Sequence, residues 1–296
     1  MHPSRRSLGA VGLVVAGLAC QEVGASFAVL LFPAVGPLGM VALRLTFSAI
    51  ILLAVCRPRL RGYGRRDWAT VGMFGLSLAL MNGLFYEALA RVPLGATVTI
   101  EVLGPLVLSV VMSRRASSWL WAALAFVGVA LLGEGSFGHL DAVGVVFAFG
   151  AAASWAGYIL LSARTGQRFP NLDGLAIAMT IGAIVALPVG IATAGPAIFV
   201  PGNLLLGAAV AVLSSTIPYA LELLALRRLP SATFSILMSL SPAIATAAGL
   251  VLLNQQITLV GVIAIAIVIS ASIGAVRSAS LAPRRRGDPS QSDLVA

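Results

Sequence analysis

The chain has 296 residues, of which 59% are hydrophobic and only 10% charged, with a mean hydropathy of +1.02. Soluble domains carry roughly 25% charged residues, so a soluble fold is excluded. The net charge of +9 comes from arginine alone, and those arginines sit in short clusters between apolar runs, which argues against a nucleic-acid-binding surface.

A membrane span needs about 20 apolar residues to cross roughly 30 Å of hydrocarbon. The sequence predicts ten helical spans, at 8–32, 37–56, 68–90, 94–113, 119–135, 142–162, 173–194, 204–226, 231–252 and 258–276. Their ends are marked by Pro33 and Pro37, the Arg57–Asp67 cluster, Pro93, Arg114-Arg115 and the Gly133–Asp141 segment. Pro170, Pro196, Pro201, Pro230 and Asn254–Gln256 mark the rest. The first span follows Arg5-Arg6, but its apolar run exceeds the ~7–15 residues of a signal peptide and nine more follow. It is expected to be retained.

Arginine placement orients the chain. With the N-terminus inside, 17 of the 19 arginines fall in cytoplasmic segments; Arg91 lies in an outer loop and Arg44 within a span. Nine or eleven spans would put one half's arginines on the wrong face. The expectation is therefore an all-α, multi-pass inner-membrane protein with both termini in the cytoplasm. Residues 278–296, rich in Pro, Ser and Arg, are expected to form a disordered tail near anionic lipid.

One pattern occurs twice, 137 residues apart. Ala88-Leu89-x-Arg91-x-Pro93, then Pro105, is matched by Ala225-Leu226-x-Arg228-x-Pro230, then Pro242. Five predicted spans separate the copies, so the second is upside down. That divides the chain into a five-helix repeat at 1–135 and an inverted one at 136–277. Inverted membrane repeats are the mark of secondary transporters, whose site lies where the halves meet.

Ionisable residues at bilayer depth are costly and usually face a cavity or a partner. At about 1.5 Å per residue, Glu22, Arg44 and Glu101 all fall roughly 10–15 Å inside their spans. Glu22 and Arg44 read either as a structural ion pair or as a cavity pair holding the two ends of a zwitterion. For Glu101 the functional reading is favoured: its span has no arginine within reach, and Pro105 frees a backbone carbonyl beside it. Glu222, after Pro218-Tyr219, either lines the cavity or reaches toward Arg227. Glu87 and Arg91 form an i,i+4 pair, read as structural. Asn82 is a helix–helix hydrogen bond or a cavity group. Trp155 and Tyr158 are ordinary packing or the aromatic wall of a polar-solute site.

Other motifs carry no chemistry. Gly133-x-Gly135-x-x-Gly138 fits a dinucleotide fingerprint but follows no strand. There is no Walker lysine, no H-E-x-x-H and no G-x-S-x-G elbow. Cys20 and Cys56 lie in separate apolar runs, so neither a disulfide nor a metal site is expected. No cofactor, catalytic group or nucleic-acid partner is expected; the partners are the bilayer and a small solute, and the oligomeric state is open.

Taken together, these segments resemble EamA-type members of the drug/metabolite transporter superfamily, and within it the bacterial threonine/homoserine exporter group. The resemblance rests on Leu31-Phe32-Pro33-x-Val35-Gly36 with Ala42-Leu43-Arg44-Leu45, and on Met81-Asn82-x-Leu84-Phe85-Tyr86. It continues through Val92-Pro93-Leu94-Gly95, Glu101-x-x-Gly104-Pro105-Leu106 and Ser113-Arg114-Arg115. In the second half it is carried by Ala209–Ser214, Pro218-Tyr219-x-Leu221-Glu222, Arg228-Leu229-Pro230 and Leu237-Met238-Ser239. It implies export of small amino acids by proton antiport with alternating access, and puts Arg44, Asn82, Glu101, Tyr219 and Glu222 in shared segments as cavity candidates. Proton coupling would fall to Glu101, Glu22 or Glu222. Three positions depart from the resemblance: Ser241 where glutamate is common, Asn254-Gln255-Gln256 where a Gly-Glu pair is common, and Glu22 where a neutral polar residue is expected. The alternative functions are a facilitator or exchanger of a drug-like cation or nucleotide precursor, or a membrane enzyme or structural partner.

Overall fold

A computed structural model describes residues 5–113, 116–133, 140–170, 172–218, 221 and 237–280. Among these every regular element is a helix. The first, α1 (Arg5–Cys56), carries both of the first two predicted spans. The sequence predicts a loop between them, but a single residue suffices. Gly36 takes φ 68° and ψ 168°, a region essentially reserved for glycine, and Pro37 then starts the second arm with its φ already set for helix.

The third span is α2 (Arg65–Leu89), where the Asp67 carboxylate accepts the Gly64 N–H at 3.0 Å and caps the start. The fourth span is interrupted. It forms α3 (Leu94–Glu101) and α4 (Leu103–Ser113), with a turn at Val102. Pro105 has no N–H to give the Glu101 carbonyl four residues back, so the helix ladder lacks a rung there. A second turn, at Ser239–Leu240 just before Pro242, falls 137 residues after the first.

The chain continues through α5 (Ala116–Gly133), α6 (Ala142–Gly166) and α7 (Asp173–Ala194). A 3-10 turn (Gly195–Phe199) leads into α8 (Pro201–Ala211), which opens into a π-turn at Val212–Thr216. The last helices are α9 (Ser241–Leu252) and α10 (Leu259–Ser280). The eighth and ninth predicted spans are thus described only in part. The expected repeat boundary at 135–136 and nearly all of the tail lie outside the described residues. Among the described residues, six helices are long and apolar enough to cross a membrane, the longest being the bent Val11–Cys56 stretch. Three shorter apolar helices, Trp119–Leu132, Pro201–Thr216 and Ser241–Leu252, accompany them.

Packing brings distant segments together. α1 lies along α7 and α8, α2 along α6 and α7, α3 along α9, and α5 along α10. The first arm of α1 meets the π-turn at Gly24, where a Cβ would run into Ser214 and Leu213. Only a glycine admits so close an approach. One apolar cluster, with Met40, Leu45, Leu78, Tyr86 and Met179, fills the space between α1, α2 and α7. Another, with Ala25, Leu94, Val98, Val102 and Ala245, joins α1, α3 and α9. The polar site lies between these two clusters.

Candidate functional site

Arg44 is 9% exposed and sits on the second arm of α1, flanked by the buried Leu43 and Leu45. A buried guanidinium must be answered by acceptors, and three are in place. Its Nη1 donates to the Tyr86 hydroxyl at 3.1 Å, its Nε to Ser215 Oγ at 3.3 Å, and its Nη2 to the Ser214 carbonyl at 3.1 Å. The guanidinium carbon also lies 5.5 Å from the Tyr86 ring centroid. The Ser214 carbonyl is available for a local reason: Pro218, four residues on, cannot donate to it. Sequence features of α8 thus prepare an acceptor for a charge on α1.

Glu22, on the first arm of α1, is 2% exposed. Its Oε1 accepts from Ser241 Oγ at 3.0 Å, and its backbone carbonyl accepts from Ser26 Oγ at 2.9 Å. The ion pair considered between Glu22 and Arg44 is therefore not made at contact distance. The salt bridges among described residues are Arg91–Glu87, Arg91–Asp141 and Arg168–Asp67, all near helix ends. The Arg91–Glu87 pair is the one expected from i,i+4 spacing.

Glu101 ends α3 and is partly exposed, although every residue from Leu94 to Ile100 is buried. Among the described residues its carboxylate makes no hydrogen bond and no ion pair. It nevertheless lies within electrostatic reach of Glu22 and of Arg44, and Glu22 within reach of Arg44. One guanidinium and two carboxylates from three helical segments thus share a site in an otherwise apolar bundle. Such a set can hold the opposite ends of a zwitterion, or trade a proton against a cation.

Comparison with known proteins places this geometry. The threonine/homoserine exporter RhtA of Salmonella typhimurium (strain LT2) is 40% identical over 256 residues, covering 86% of both chains. That of Escherichia coli (strain K12) is 38% identical over 265 residues, covering 88% of this chain and 89% of its own. The model of the EamA-like transporter family matches residues 142–277. The chain belongs to the EamA-like transporter family. It is a multi-pass transporter of the bacterial inner membrane. An uncharacterized transporter of Bacillus subtilis, YvbV, is 27% identical over 166 residues, about half of each chain. A solved crystal structure with 20% identity has the same fold, with a TM-score of 0.58 over 94% of this chain and 99% of its own.

The other predicted residues of this EamA-like transporter divide into three groups. Asn82 is buried one turn from Tyr86, and its amide nitrogen donates to the Leu78 carbonyl of its own helix at 2.9 Å. Trp155 packs on the apolar cluster that contains Leu94, Val98 and Val102, next to Glu101. Tyr158 packs at the edge of the apolar cluster that contains Leu78 and Tyr86, its ring tilted against Phe74 at 5.1 Å between centroids. Tyr219 and Glu222 lie outside the described residues. Sequence reading did not single out Tyr86, Ser214 or Ser215 as site residues, and it marked Ser241 only as a departure from the resemblance. Tyr86 had a signal, four residues after Asn82 on one helix face. Ser214 had one too, four residues before Pro218.

Proposed function

We propose that this chain exports small amino acids of the threonine or homoserine kind in exchange for protons, exposing one central site to each face in turn. The observation that carries the reading is the grouping of Arg44, Glu22 and Glu101 inside apolar helices. An amino acid needs a cation for its carboxylate and an acid for its ammonium, and charges kept at such depth mark a substrate or ion path. Arg44 is the carboxylate clamp, its planar fork passing from Ser214, Ser215 and Tyr86 to the solute. Glu101 holds either the ammonium or a proton, which is what antiport requires of one group. Glu22 and Glu222 are the remaining proton candidates. Asn82, Trp155 and Tyr219 line the site. The relatives named as threonine/homoserine exporters support the class of solute.

Alternating access is supported by a symmetry of packing. Replace each span by the one five places along the chain, counting the two arms of α1 as the first and second. The pair α2–α6 (third and sixth) then becomes the first arm with α8, and α2–α7 (third and seventh) becomes the second arm with α8. Second with seventh, fourth with ninth and fifth with tenth return to themselves. The matched helix breaks at Val102 and Ser239 fit the same operation. Two inverted five-helix halves, 1–135 and 136–277, account for all of these.

The test is uptake of labelled amino acids into inside-out vesicles, with and without a collapsed pH gradient. Threonine or homoserine uptake that disappears with the gradient is the expected result. Uptake indifferent to the gradient would replace the antiporter with a facilitator, and failure of every amino acid would remove the proposed solute class.

A further inference from the structure

A second polar cavity lies away from the Arg44 site, between α2, α6 and α7. It encloses about 150 Å³ and is lined by Phe74, Tyr158, Ser162, Thr165, Phe169 and Leu175, together with two glycines. Drug-sized ligands occupy roughly 300–1,000 Å³, so this space fits only a small solute. No charged side chain lines it. Thr165 is 1% exposed, and its hydroxyl has no hydrogen-bond partner among the described residues. That hydroxyl is sealed off from the cavity, but Ser162 Oγ on the same wall, which donates to the Ile159 carbonyl at 2.9 Å, keeps its lone pairs for a polar occupant. Three aromatic rings, those of Phe74, Tyr158 and Phe169, supply the apolar part of the surface.

The cavity is joined to the charged site by one helix face. Trp155, Tyr158, Ser162 and Thr165 follow one another on α6 at spacings of three, four and three, which puts them in a single stripe. The stripe runs about 15 Å along the helix. At one end Trp155 packs beside the segment that ends in Glu101. At the other, Thr165 lies one residue from the end of α6, on the face that holds Arg57, Arg65, Arg66, Arg164 and Arg168. By arginine bias that face is cytoplasmic. The Arg168–Asp67 pair, at 3.8 Å, stands beside Phe169 at this end.

We propose that this cavity is a cytoplasmic entry site, where a small hydroxylated amino acid is held by its side chain before moving along the α6 stripe to Arg44 and Glu101. The Ser162 hydroxyl oxygen accepts from the solute's hydroxyl, and the rings cover its carbon atoms. Its charged ends face the mouth, where charges of both signs stand. The proposal rests on the export reading above.

Inside-out vesicles present this face to the medium. Ser162→Ala removes the hydroxyl with little change of shape. Its half-saturation concentration for threonine should rise by about fivefold, the scale of one net hydrogen bond, with the maximal rate unchanged. In a Cys20→Ser, Cys56→Ser background, Ser162→Cys should react with a membrane-impermeant methanethiosulfonate added from this face. Threonine should slow that reaction, and the modification should block transport. Wild-type kinetics in Ser162→Ala, or a Ser162→Cys that is modified without loss of transport or is not modified at all, would overturn the entry site while leaving the exporter reading intact. Wild-type vesicles that carry no amino acid would fail the exporter reading itself, and the entry site with it.

Discussion

Arg44 directs three different nitrogens at three acceptors on two other segments, Tyr86 on α2 and Ser214 and Ser215 on the π-turn. A lysine at this position offers one nitrogen on a flexible stem and cannot span that set, nor grip a carboxylate with two parallel bonds. Arg44→Lys and Arg44→Ala are both expected to reach the membrane folded and to lose transport, measured as threonine efflux alongside membrane abundance. Transport at wild-type rate by folded Arg44→Ala would remove the clamp from the mechanism. Glu101 differs from Glu22 in that the residue is partly exposed and its carboxylate unbonded among the described residues, whereas Glu22 is held by Ser241. A free carboxylate is the better exchanger of proton and ammonium. Glu101→Gln removes the charge at nearly constant volume. It should stop net efflux and flatten its dependence on the pH gradient, while solute exchange between the two faces, needing no net proton movement, persists. Full gradient-driven efflux by this variant would move the proton to Glu22 or Glu222.

At the scale of the helices, the proposed site is built at places where regular structure stops. The turn at Val102 ends α3 at Glu101, and Pro105 leaves that residue's carbonyl without a helical donor. The π-turn does the corresponding service for Arg44, since π segments within helices expose backbone groups and recur at functional sites. Gly36 is a third interruption, and the most demanding of its residue type. An added methyl would meet nothing within 4 Å, so space is not the constraint; the backbone conformation is. Gly36→Ala should therefore destabilise the junction of the two arms by about 1–3 kcal/mol. The check is the thermal midpoint of the detergent-purified protein, which should fall. An unchanged midpoint would mean the junction relaxes to an ordinary turn at no cost.

At the scale of the whole molecule, arginine distribution and packing symmetry bear on the same arrangement. An odd number of spans between the two sequence copies requires the halves to be inverted, and inverted halves pack with the exchanged pairs described above. On that reading, with the arginine bias, both termini are expected to be cytoplasmic. A C-terminal fusion to a reporter active only in the periplasm should be silent, and a cytoplasmic fluorescent fusion bright. The opposite pattern would rule out ten spans with both ends inside.

Much of this protein follows from the sequence alone, because a bilayer leaves few choices. Apolar runs of about 20 residues must be helices, since nothing else satisfies their backbone in hydrocarbon. The apolar segments and the i,i+4 pair at Glu87 and Arg91 were legible, and Arg44 and Glu101 stood out as candidates because a charge within such a run is conspicuous. The partners of those charges were not legible. Ser241 stands 219 residues from Glu22, and Ser215 171 residues from Arg44. Serines are unremarkable in a membrane helix, and no local pattern encodes which helix faces which. The same limit applied to Tyr158, which shares a helix with Trp155 and yet turns toward Phe74 and a separate cavity. Sequence determined which segments enter the membrane and which charges go with them, through the cost of leaving polar groups in hydrocarbon. Only tertiary packing, through close approaches such as Gly24 on the π-turn, decided which acceptors those charges meet.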